Sequence, residues 1–257
     1  VGLILVMLLP TGCGIGIYEE RMKQTQERLA RLDEEDALLA EPFAWPASVA
    51  VPVFLRPPRS VVCPPLPVPG SDWLLRCPWA EANALVPPWE MFVGVYAFSG
   101  DLDRLEVILQ NELPVGQANG QRIQEPLALR EVVFTRAGAR PDDQLPVTYR
   151  RFVVLSEEEP VSSMPRRPSS PMPAWFRWEV YIHAAEDWHV VVAFKVLDRE
   201  ATERFWAEMG SPASELRRLP VVDRKLFGRQ RDACLATLRV GETARRAWRE
   251  WTGNSRP

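Results

Sequence analysis

The sequence predicts an α+β fold: an antiparallel sheet covered by helices, preceded by a long N-terminal helix and a Pro-rich extended linker. Three observations carry this. Strand-like runs follow one another between residues 73 and 197, and helical runs come after them. That order suits an antiparallel sheet with helices laid on it rather than alternating βαβ units. A stretch free of Gly and Pro spans 17–41. Nine prolines then fall within 42–69 and exclude helix there.

The helix comes first. From Ile15 a heptad seam runs through Tyr18, Met22, Thr25, Leu29, Leu32, Asp36 and Leu39, on good helix formers. Pro42 stops it, after about 35 Å of helix. Such a seam suits either a coiled-coil stalk that self-associates through 15–39 or a helix lying on its own domain. In the Pro-rich part, Val51 to Leu55 reads as a short edge strand, where Pro is tolerated. Beyond it, strands are predicted at 73–77, 91–98, 130–136, 147–155, 175–183 and 188–197. Helices are predicted at 102–112, 199–209, 230–239 and 242–251. Alternation puts Phe176, Trp178, Val180 and Ile182 on one sheet face, continued by Val190, Val192, Phe194 and Val196. The division is 1–12, 13–41 (anchor and stalk), 42–72 (linker) and 73–257 (globular).

With 46% hydrophobic and 25% charged residues, the 257-residue chain has the composition of a packed domain. A net charge of −3 gives no basic footprint, so nucleic acid is not an expected partner. The charge is uneven. Residues 19–41 hold eight acids and four bases (−4), and residues 217–257 hold eleven bases and four acids (+7). The two segments are candidates to attract each other.

Residues Val1 to Leu9 form an unbroken apolar run. It is far shorter than the about 20 residues of a spanning helix and matches the apolar part of a signal peptide. Pro10-Thr11-Gly12-Cys13 follows, small residues directly before a cysteine, and resembles the lipobox of bacterial lipoproteins. That resemblance implies cleavage before Cys13, a lipid on its sulfur, and an address on a membrane of the bacterial cell envelope, facing the periplasm or exterior. The segments YEERMKQTQERLARLDEEDALLAEP, PVFLRPP, WEVYI, HVVVAFKV and ACLATLRVGETA resemble small bacterial lipoproteins of unknown function. The sheet-then-helix ending also resembles the PsbP-like fold, which implies assembly or partner-binding roles.

Chemistry is sparse. No G-x-S-x-G, H-E-x-x-H, C-x-x-C or phosphate loop is present, and no cofactor is expected. Cys63 and Cys77 are close enough in sequence to form a disulfide, and Cys234 reads as a buried apolar residue. If Ile182 pairs with Val190, His183 falls opposite His189 beside Glu186 and Asp187, a candidate zinc site. Trp175, Arg177 and Tyr181 alternate along one strand as a candidate binding surface for a sugar or protein. The expectation is a non-catalytic envelope protein that scaffolds or binds another envelope protein. An envelope-polymer hydrolase and a small-ligand or metal-binding module are the alternatives.

Overall fold

Apolar strands and amphipathic helices settle into place around one twisted sheet in a computed structural model. It describes residues 13–43, 45, 49, 51–61, 65–67, 75–80, 87–97, 130–135, 146–158, 174–185, 187–210, 217 and 219–254. The apolar run 1–12, Cys63, Glu186 and the helix expected at 102–112 lie outside the described residues.

Helix α1 spans Cys13–Leu38. Strands β1 (Val53–Phe54), β2 (Leu66–Pro67), β3 (Leu75–Cys77), β4 (Trp89–Ala97), β5 (Arg130–Phe134), β6 (Val147–Glu158), β7 (Ala174–Ala185) and β8 (Trp188–Leu197) follow. Helix α2 (Arg199–Glu208), helix α3 (Arg224–Thr237), strand β9 (Arg239–Val240) and helix α4 (Glu242–Asn254) complete the order. Seven strands form one antiparallel sheet in the order β2-β3-β4-β8-β7-β6-β5. The α+β class is therefore as the sequence predicts. The short strand expected in VPVFL is present as β1, but it pairs with β9 in a separate two-stranded sheet.

Both sheet faces are buried. On one, Met91, Val93, Tyr149, Tyr181, Val190, Val192 and Phe194 pack with Phe227, Cys234 and Leu235 of α3 and with Val53, Leu55 and Leu39. On the other, Phe152, Phe176, Trp178, Val180, Ile182, Val191 and Ala193 pack with Trp206 of α2. Each large side chain removed from water stabilises the fold by about 1.5–3 kcal/mol. The face assignment from alternation needs correcting. Phe176, Trp178, Val180 and Ile182 share their face with Val191 and Ala193, not with Val190, Val192 and Phe194. Residues 190–194 are apolar throughout because helices cover both sides of β8.

Helix starts follow local chemistry. Asp198 caps α2 by accepting from Ala201 N. The buried Thr202 hydroxyl accepts from Trp175 N and donates to Asp198 O, joining the helix start to β7. Asp223 caps α3 by accepting from Lys225 N and Leu226 N. That cap starts α3 at Arg224 rather than at the expected 230; the helix ends at Thr237, and the chain then enters β9. Gly241, at φ 64°, makes the turn from β9 into α4, a conformation that other residues adopt with strain.

The Pro-rich stretch is only partly a spacer. Residues 53–58 are all buried, so this part of the predicted linker belongs to the core.

Candidate functional site

Two polar centres stand out in this frame. The first is the junction between α1 and the domain. The last carbonyls of a helix lack intrahelical donors and must find others. Here the segment 56–59 supplies them. Arg59 N donates to Leu38 O at 2.9 Å, and Arg56 Nε donates to Ala40 O at 3.1 Å. The Arg56 guanidinium also pairs with Glu35 at 3.0 Å and Asp36 at 2.7 Å, and lies 4.8 Å from the ring centre of Trp251 in α4. Arg56 and Glu35 are both buried, 3% and 5% exposed. Arg56 N in turn donates to Thr237 Oγ1 at the end of α3. One arginine thus links α1, the buried Pro-rich strand, α3 and α4.

Glu34 adds an exposed pair with Arg229 at 2.6 Å. The acidic N-terminal segment and the basic C-terminal segment do meet. Beyond the junction, residues 16–31 of α1 are exposed on all sides. Ile17, Tyr18, Met22 and Leu29 are 57%, 64%, 43% and 55% exposed.

The second centre is Glu179 on β7. Its buried carboxylate accepts from Arg231 Nη1 at 2.7 Å and from the Tyr181 hydroxyl at 2.9 Å. Arg151 and Arg177 stand 3.4 and 3.6 Å away. Burial opposes its ionisation, but the charges of Arg231 and Arg151, with these hydrogen bonds, hold its pKa below the usual carboxylate value. Burial, then Glu179 itself, push Tyr181 well above the usual phenol range, so its hydroxyl stays a donor. A general base works best with a pKa near the operating pH, and Glu179 is tuned away from it. The centre fastens α3 to the sheet.

The residues singled out from sequence do not converge. Cys13 is the first residue of α1. Cys77 is buried in β3, and Cys63, its expected disulfide partner, lies outside the described residues. Cys234 is buried as expected, its Sγ 3.8 Å from Met91 Sδ, and burial followed by the nearby Cys77 raises its thiol pKa.

The zinc expectation fails on register. His183 pairs with Val190 and His189 with Ala184, so the imidazoles point to opposite faces. His183 lies against Tyr149 and its Nδ1 is 2.9 Å from Thr148 O. Among the described residues no three His, Cys, Asp or Glu side chains are grouped to hold a metal.

The open aromatic surface also needs correcting. Tyr181 is 1% exposed, packed against Tyr149 and Phe194, while Trp175 is half-buried near Phe205 and only Arg177 is exposed. The sheet face that alternation left for a ligand is taken by α3.

A shallow cleft of about 290 Å³ lies where α1 meets α3 and the end of β5, with Arg31, Glu34, Phe134, Arg229 and Asp232 at its wall. Two of its charges, Glu34 and Arg229, are already paired with each other at 2.6 Å. No known family model matches the sequence, and no curated protein matches it.

Sequence reasoning missed Arg56, Glu35, Glu179 and Arg231. An arginine inside the apolar run VFLRPP was a signal for the first. Glu179 and Arg231 are 52 residues apart and carry no local signature.

Proposed function

We propose that this chain is a lipid-anchored protein of the bacterial cell envelope with a non-catalytic, protein-binding or scaffolding role. Cys13 carries the lipid, α1 is the stalk, and the sheet domain is held off the bilayer. The observation that carries the reading is the form of α1. It starts at the cysteine of the lipobox-like segment and ends in a buried ion pair with its domain. Between these ends, residues 16–31 are exposed. A helix of 26 residues holds its ends about 39 Å apart. Among the described residues no helix is long and apolar enough to cross a membrane, so membrane attachment through α1 itself is not the basis of the reading. Acyl chains supply it instead, at about 0.8 kcal/mol per buried CH₂.

The test is intact-mass spectrometry of the chain expressed in a bacterial host with its N-terminal segment. The expected species begins at Cys13 and carries the added mass of acyl chains. Cys13→Ser is expected to leave the membrane fraction or remain uncut. A bare sulfur at Cys13 in mature protein would contradict the anchor. For the binding role, affinity capture from gently solubilised membranes is expected to return a reproducible envelope protein. Recovery of none would count against it.

A further inference from the structure

We infer that α1 is a parallel pairing element, and that its occupant is α1 of a second copy of this chain. The argument starts from where the helix is docked. Glu34, Glu35 and Leu38 face the domain, through Arg229, Arg56 and the core. Successive helical residues turn by about 100°, which places the seam of Tyr18, Met22, Thr25, Leu29 and Leu32 about 150° around the helix from those docked residues. Over Tyr18 to Leu29 the seam therefore points away from the docked side, and its last members, Asp36 and Leu39, reach the domain through Arg56 and the core. A surface helix that lies on its domain turns its apolar stripe inward, and over residues 16–31 this one does not. Tyr18, Met22 and Leu29 are 64%, 43% and 55% exposed, a ladder along the bare part of the helix.

Charge selects the occupant and its direction. With Met22 and Leu29 at one seam position and Tyr18, Thr25 and Leu32 at the other, Arg21 and Arg28 flank one side of the seam. Glu19, Gln26 and Asp33 flank the other. In a parallel pair each flanking residue meets the opposite flank of the partner five positions on. Arg28 then meets Asp33 of the second copy, twice by symmetry, and Arg21 meets Gln26. In an antiparallel pair like flanks meet: Arg21 faces Arg28, and Glu19 faces Asp33, all repulsive. The parallel pair also sets both copies of Cys13 at one end and both sheet domains at the other. Thr25 at the centre of the seam and the short length make the pairing weak, with a dissociation constant on the order of 10–100 μM in solution. Confinement of both copies to one surface raises their effective concentration. The pairing itself does not require the lipid.

The experiment is sedimentation equilibrium on the full chain in mild detergent. Wild type is expected to be a reversible dimer in that concentration range. Leu29→Asp is expected to weaken it on the order of a hundredfold, with the thermal midpoint of the domain unchanged, since Leu29 touches no part of the core. Arg28→Asp and Asp33→Arg are each expected to weaken the dimer by about three- to tenfold, and the double swap to restore it. An antiparallel pair predicts the opposite sign for Arg28→Asp, because it would relieve repulsion. Wild-type protein that stays monomeric up to about 1 mM, tightening by Arg28→Asp, or no recovery in the double swap would each overturn the inference. The intact mass of the same sample reports separately on lipid at Cys13, so failure of the anchor and failure of the pairing are told apart.

Discussion

The two ends of α1 are both built largely from good helix formers and have opposite fates. At residues 34–39 the helix is fixed by Arg56, Arg59 and Arg229 and buries Glu35 and Leu39. At 16–31, every residue is exposed. Helix propensity does not distinguish them, since Glu, Leu and Ala populate both. Tertiary partners do. The fixed end is held by a desolvated ion pair, and such a pair costs far more to break than it contributes when compared with an apolar replacement.

Breaking the fixed end has the largest expected effect. Arg56→Met removes the buried cation beside Glu35 and its bonds to the end of α1, and a loss of about 3–5 kcal/mol in urea unfolding is expected. Pairing it with Glu35→Leu removes both charges, and most of the loss is expected to return. A double variant as unstable as the single would show that the arginine acts through its carbonyl contacts instead.

The Glu179 centre gives a smaller effect. Glu179→Gln keeps the shape but leaves Arg231 and Arg151 short of a counter-charge, and about 1–3 kcal/mol is expected. It also sharpens a pH prediction. Glu179 has a folded pKa below the ordinary value of 4.5, so its contribution is complete above that pH and is lost as pH falls through the lower folded value. His183 and His189 are lowered from 6.5, chiefly by burial. The fold favours their neutral forms, so stability also falls as pH drops below about 6.5. Denaturant melts from neutral to acid pH are expected to show a shallow loss from the histidines and then a steeper one from Glu179. The second step is expected to shrink in Glu179→Gln.

At the bare end the effect on the domain is smallest. Met22→Ala is expected to change domain stability by less than about 0.5 kcal/mol, as exposed helix positions do. A larger change would mean that the outer helix folds back on its domain.

The same contrast explains what the sequence made legible. The α+β class, α1, the β7–β8 hairpin and α2 were readable because propensity and period are local. The register of that hairpin was not. Residues 190–194 are apolar without a break, so alternation selects neither face, and the observed register pairs Ala185 with Trp188. One residue of slip was enough to bring His183 and His189 together on paper and to separate them in the fold. The binding stripe at Trp175, Arg177 and Tyr181 failed for a related reason. Its exposure depended on whether α3 would cover that face, and Glu179 and Arg231, which fasten it there, are distant in sequence. The burial of 53–58 was hidden because proline density reads as a spacer whether or not the residues between the prolines are apolar.

Hydrogen–deuterium exchange resolved by peptide, in Leu29→Asp and in wild type, tests the division of α1 most directly. In the variant, amides of 16–31 are expected to exchange fast, while those of 35–39 stay as protected as the strands of the sheet. In wild type at high concentration, protection is expected to extend into 18–32. Equal protection along the whole helix in the variant, or a fast-exchanging junction at 35–39, would contradict a helix locked at one end and free for a partner along the other.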